Sequence, residues 1–312
     1  MPLHGLRANL ELAILTFSAV AVSYFLTSQV ISNVIFTILI GALFFLEGLH
    51  LDTDITKDIR NRSRQYILGL IAIFLIAPFV AFIFGTAFPK LNNLLLAIGI
   101  SAGALGSPRI WSNLSKGDGK LSARIGSVSL LLSVIAVPVL ALVLGLDIQM
   151  DMLLRNSIVA IIPFLAGIGL QNYRDSWIEE ARVHFSKLSF WLIVLITFVQ
   201  LEFIFTAGAP GFLSEFAEAV IILTGLSLGL FLAGYGFSKL FDHYEKEARA
   251  IGFVSGSKNV AVAFLVASLL GPKEVAFVGV YYFIRQLVGV GITDYFQHGE
   301  LRFLQRLGLK ES

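Results

Sequence analysis

Apolar runs of about 20 residues, the length that carries an α-helix across a bilayer, recur from one end of the chain to the other between short polar loops. The pattern predicts ten membrane-spanning helices, near 9–27, 31–50, 66–86, 92–113, 122–146, 153–171, 187–207, 215–240, 248–270 and 274–296. No polar stretch is long enough to form a soluble domain. Two spans, 92–113 and 248–270, are less uniformly apolar than the rest: both are rich in Gly and Ser, and the first contains Pro108. Proline and clustered glycine interrupt a helix and free backbone carbonyls and amides, which lipid tolerates only where they face protein or a wet cavity. The same two spans carry an internal repeat: AIGISAGA (97–104) and AIGFVSGS (250–257) agree at Ala, Ile and both Gly positions, 153 residues apart. Each lies in the fourth span of a five-span half, and the two enter the membrane from opposite sides. The expectation is an all-α polytopic protein of two inverted repeats, residues 1–150 and 151–312, whose interrupted helices four and nine flank a binding site.

Charge sets the orientation. Arg60, Arg62, Arg64, Lys116, Lys120, Arg182 and Lys246 fall in loops on one side, whereas the other side holds only Lys90, Arg155 and Lys273. By the positive-inside rule both termini face the cytoplasm of a cell-membrane protein. Arg7, an apolar run and Ala19-Val20-Ala21 imitate a cleavable signal peptide, but Glu11 is out of place there and the run completes the first half, so it reads as a retained helix. Charged residues make up 14% of the chain, against about 25% in soluble domains. Cysteine is absent, which excludes disulfides, thiolate metal sites and cysteine catalysis.

Three cations remain inside the predicted spans: Arg109, Lys258 and Arg285. A Lys or Arg at mid-membrane costs roughly 2.5–3.5 kcal/mol on insertion scales, and such residues mark substrate or ion paths. The alternatives are a structural ion pair or a side chain reaching back to the interface. Lys258, in SGSKN, lies about ten residues from either end of its span, too deep for that reach. Arg285 reads as structural, with Glu202 as partner. Glu47, Glu202 and Asp294 are the few acids nearby in the spans. Two cations at interrupted helices form an electropositive pocket suited to a small organic anion, a carboxylate, with Ser101, Ser107, Ser255, Ser257 and Asn259 as hydrogen-bonding groups. Enzyme motifs such as HExxH and GxSxG are absent, and the five histidines fall in or beside cytoplasmic loops. The expected partners are the anion and the bilayer, without nucleic acid, cofactor, metal or enzymatic activity. Oligomeric state is open.

FLEGLHLDTDITKDIRNRSRQ (45–65), LSKGDGKLSARIG (114–126), Pro138 and GSKNVAVAFLVASLLGPKEVAFVGVYYFIRQLVG (256–289) together resemble the bile acid:sodium symporter family. The resemblance implies ten helices split into a panel and a core, with helices four and nine crossing in the core. It also implies transport of organic anions, usually with two sodium ions held at that crossing. The family's helix-nine pattern, similar to E-x-G-x-Q-N, falls on Val254, Ser255, Gly256, Ser257, Lys258 and Asn259. Its Glu is thus Val254 and its Gln is Lys258. Without gaps, the Ser-Asn pair of helix four falls on Pro108 and Arg109, a later Ser on Ser122 and a Thr on Gly126; a rival alignment uses Ser112-Asn113. The expectation is that Lys258 and Arg109 replace the two sodium ions, and that transport is sodium-independent, with Lys258 exchanging a proton or staying charged throughout. The expected site comprises Lys258, Arg109, Asn259, Ser257, Ser255, Gly256, Pro108, Ser107 and Ser122. Cation/proton antiporters resemble the chain over 107–126, but SLLLSVIAVP (129–138) lacks their acidic carrier. Arsenite exporters use thiols that this chain lacks. That antiporter-like reading and a non-transporting receptor remain open alternatives.

Overall fold

A computed structural model describes residues 33–49, 55–173, 187–197, 212–241 and 244–298, and all the regular structure there is helical apart from one isolated β-bridge. The first predicted span, 9–27, and the end of the seventh lie outside the described residues. The second span is α1 (Asn33–Leu49), followed by a short α2 (Ile55–Asn61). The third is α3 (Ser63–Ala87), a continuous helix with a π-helical turn at Ala72–Ile76. The fourth is split into α4 (Asn92–Ile100) and α5 (Gly106–Leu114). Then come α6 (Gly119–Val143), α7 (Met150–Tyr173), α8 (Lys187–Thr197) and α9 (Phe212–Leu240). The ninth span is split into α10 (Glu245–Gly256) and α11 (Val260–Ala267), and α12 (Pro272–His298) is the tenth.

Five helices among the described residues are long and apolar enough to cross a bilayer. Their outward faces carry large apolar side chains, including Leu75 and Phe79 on α3, Ile135 and Leu142 on α6, Ile162 on α7 and Ile221 on α9. Exposed apolar surface on this scale suits contact with acyl chains rather than water. α1 packs chiefly on α7, where Gly48 and Gly167 bring the two backbones together, the small-residue contact that lipid-embedded helices use. α3, α6, α9 and α12 pack around the two interrupted spans.

At the end of the bundle where α2 meets α3, a polar network ties the loops. Asp118 caps α6, accepting from the Leu121 amide at 2.9 Å, and receives the Arg62 guanidinium at 2.5 Å. Asp58 receives Arg124 at 3.0 Å and the Tyr66 hydroxyl at 2.9 Å. The Asp118 amide donates to the Lys246 carbonyl at 3.0 Å, joining the α5–α6 turn to α10. Burial works to raise the Asp118 pKa, but the Leu121 amide and Arg62 outweigh it and hold the carboxyl below its ordinary range. A carboxylate depressed in the folded state stabilises the fold above its unfolded pKa and loses that contribution as pH falls through the folded value. Asp118→Ala should therefore cost ~1–2 kcal/mol at neutral pH, the worth of an N-cap, read as a lower melting temperature in detergent. The gap to wild type should narrow as the pH falls below the usual carboxylate range.

Candidate functional site

Both interruptions expected from the sequence are present, and they cross. α4 stops at Ile100, where Ser101 turns extended; α10 stops at Gly256, and Asn259 caps α11, its side chain accepting from the Val262 amide at 3.1 Å. Between them Gly103 and Lys258 form an antiparallel bridge. The Ala104 amide donates to the Ser257 carbonyl and the Asn259 amide to the Ala102 carbonyl, each at 2.7 Å. The two octapeptides of the internal repeat thus run into a shared crossing. Gly103 is required by close approach: a Cβ there would stand 2.7 Å from the Val254 side chain and 3.1 Å from its carbonyl oxygen. The Gly103 amide donates to Ser129 Oγ at 3.0 Å.

Lys258 is fully buried. Its Nζ donates to the Ser101 carbonyl at 3.0 Å and to the Ile73 carbonyl at 2.9 Å. The freedom of the Ile73 carbonyl has a cause in the sequence. In the π turn the Ala77 amide bonds back five residues to the Ala72 carbonyl. The next amide in that register would come from residue 78, which is proline and has none. Ile73 is left without its helical donor, and Lys258 supplies one. Ser255 Oγ donates to the neighbouring Ala72 carbonyl at 3.2 Å. On the far side, the Tyr281 hydroxyl donates to the Gly256 carbonyl at 3.0 Å, and Arg285 Nη1 donates to the Lys258 carbonyl.

Of the residues expected at the site, Lys258, Asn259, Ser257, Ser255 and Gly256 meet at the crossing. Pro108 is buried in the first turn of α5, Ser107 is partly buried, and Ser122 is buried in α6 with an unpartnered hydroxyl. Arg109 stands apart. It is exposed, because α5 turns Pro108, Trp111 and Ser112 inward and residue 109 falls on the outer face. The cation that joins Lys258 at the crossing is Arg285, stacked over the Tyr282 ring at 4.9 Å. Glu202, its expected partner, lies outside the described residues. Glu47 on α1 is the acid that faces Arg285; its carboxylate also approaches the Asn259 side chain, whose Nδ2 still lacks an acceptor of ordinary hydrogen-bond geometry. The sequence puts Glu47 near the cytoplasmic end of the second span but gives it no role, although an acid in an apolar helix is as conspicuous as Lys258. Sequence reasoning also passed over Pro78, the signal for the free Ile73 carbonyl.

A cavity of about 80 Å³ opens between α1, α6, α7 and α11, lined by Phe44, Leu130, Val137, Phe164 and Val262, with Ser133 and Ser157 as its polar groups. Residues 37–206 match the Sodium Bile acid symporter family. The chain belongs to this family. Two Bacillus subtilis proteins are similar. The uncharacterized sodium-dependent transporter YocS is 25% identical over 74% of this chain and 73% of its own length. The uncharacterized protein YbaS is 26% identical over 67% and 71%. The bovine P3 protein is 25% identical over 71% of this chain and 48% of its own length. This symporter-family chain is accordingly a polytopic membrane transporter.

Two positions that the resemblance sets against sodium ligands, Val254 and Gly126, do not suit a metal ion. Val254 offers no carboxylate, and a Cβ on Gly126 would collide with the Ala104 carbonyl, so no hydroxyl side chain fits there. The Ser101 carbonyl is already taken by Lys258 Nζ. Among the described residues no cluster of acids and histidines could hold a metal. Lys258→Met keeps the apolar stem but strips the donor from two buried carbonyls, each worth ~1–3 kcal/mol when left unmet. It should lower the melting temperature in detergent sharply, with Lys258→Gln intermediate and sodium failing to rescue either. A Lys258→Met variant that melts with wild type would show that the amine does not hold the crossing.

Proposed function

We propose that the protein carries a small organic anion by alternating access without sodium, Lys258 doing for the crossed helices what a bound cation would otherwise do. One observation carries the reading: Lys258 Nζ donates to freed carbonyls of two different spans, Ser101 and Ile73. A metal ion placed there would compete with a tethered cation for the same oxygens, and like charges at such range repel strongly in a low-dielectric site. The lost carboxylate at Val254 and the filled space at Gly126 point the same way. Protons are the candidate coupling ion; a fixed charge with no coupling is the other form of this mechanism.

The cavity between α1, α6, α7 and α11 supports this substrate class. Its walls are apolar apart from two serines, which suits an apolar body, while Asn259 and the cations at the crossing suit a carboxylate head. Arg109, on the outer face of α5, is not needed for this. The moving parts in this reading are the layer of α1 and α7 and the layer of the crossing, each built from both inverted halves, 1–150 and 151–312. The protein would sit in the cell membrane with both termini cytoplasmic, a reading supported by the loop cations. Because the chain has no native cysteine, Ser63→Cys should resist an impermeant thiol reagent applied to intact cells, and Ala209→Cys should react; the reverse pattern overturns the orientation.

The functional test is ligand stabilisation followed by uptake. Potassium benzoate should raise the melting temperature of purified protein as much as sodium benzoate does, with saturation at 100 times Kd contributing about 2.7 kcal/mol. Uptake of anions that stabilise the protein into liposomes should persist when sodium is replaced by choline. A strict need for sodium in either experiment overturns the replacement of the ion by Lys258.

A further inference from the structure

Two donors at the crossing are left over after the backbone is satisfied. Arg285, only 6% exposed, spends Nη1 on the Lys258 carbonyl and has no acceptor at Nε. Asn259, fully buried, spends its oxygen on the Val262 amide and has no acceptor at Nδ2. Buried donors are rarely left unmet, and each such group calls for an explanation. Here both neighbour the same carboxylate: Glu47 lies beside the Asn259 amide and faces Arg285. Glu47 belongs to α1, which packs mainly on α7, whereas Asn259 and Arg285 belong to the crossing and α12. The arrangement is two buried donors without acceptors, beside an anion that belongs to another layer.

We propose that Glu47 is the proton-carrying residue of transport: in the empty protein its carboxylate neutralises the Arg285–Asn259 donors, and when a substrate carboxylate takes those donors, Glu47 takes up one proton. This rests on the carboxylate reading of the substrate given above. The charge balance requires the exchange. Two carboxylates before one guanidinium cannot both stay ionised at low cost, so binding the second raises the proton affinity of the first. One anion and one proton arrive together, and the charge of the site is unchanged. By linkage, substrate strengthens proton binding and protons strengthen substrate binding equally. Among the described residues, the charged and titratable groups that face Glu47 are Arg285 and Tyr282, both on α12. α7 meets this turn of α1 with Phe164 and Gly167, and α8 meets it with Leu192. Lys258 keeps its carbonyl partners throughout and is left out of the proton exchange.

The test is calorimetric titration of the purified full chain with benzoate, in buffers of different ionisation enthalpy and at several pH values. Wild type should take up close to one proton per benzoate at alkaline pH, with affinity falling up to tenfold per pH unit there. Glu47→Gln should bind benzoate at high pH at least tenfold more tightly than wild type, without proton uptake and with a flat pH profile. Arg285→Gln should lose at least tenfold in affinity, with its melting temperature checked to confirm folding. Proton uptake that persists in Glu47→Gln, or wild-type binding with no uptake, overturns the role of Glu47 and leaves the carboxylate reading standing. No benzoate binding by wild type at any pH overturns both.

Discussion

A helix broken inside a bilayer must find a partner for every backbone group it releases, because the surrounding hydrocarbon offers none. Here that constraint is met twice over at one place. Each break lends the other its peptide groups through the Gly103–Lys258 bridge, and the carbonyls still left over are met by side chains: Ser101 and Ile73 by Lys258, Gly256 by Tyr281, and the Lys258 carbonyl by Arg285. The cations are therefore not incidental passengers in an apolar core. They terminate the hydrogen bonding of the two broken spans, and Gly103 and Ser129 are the local choices that let those spans approach.

Much of this was legible in the sequence. The positions of both breaks followed from glycine, serine and proline in otherwise apolar runs, and the repeat of AIGISAGA in AIGFVSGS linked them. The centrality of Lys258 followed from its depth alone. What the sequence could not resolve was which way each side chain points. Arg109 and Arg285 are equally unexpected charges in a linear reading, yet helical phase turns one outward and the other onto the Lys258 carbonyl. The partnership of α3 with the crossing was hidden for a different reason. It depends on a π turn and a proline acting together, so no single residue announces it. The cavity between α1, α6, α7 and α11 is a property of packing and has no sequence pattern.

The two layers of the molecule divide the work. α1 and α7 are held backbone to backbone through Gly48 and Gly167, a contact that resists sliding. The crossing is held by directional hydrogen bonds to backbone. The apolar cavity lies between them, lined by α1 and α7 and by α6 and α11, with one serine on α6 and one on α7. An amphipathic solute placed there would touch both layers at once, so that relative motion of the layers and occupancy of the cavity constrain each other.

The fixed amine of Lys258 has an electrical consequence. A sodium ion arrives with the solute and leaves with it, so the carrier that resets is stripped of that charge. A charge built into the chain cannot be shed. If Lys258 keeps its proton and each anion brings one proton with it, the site carries the same positive charge empty and loaded. The transmembrane voltage, worth about 2.3 kcal/mol per charge at 100 mV, then acts on both strokes alike. The resting potential of the cell would bias empty and loaded carrier toward the same face.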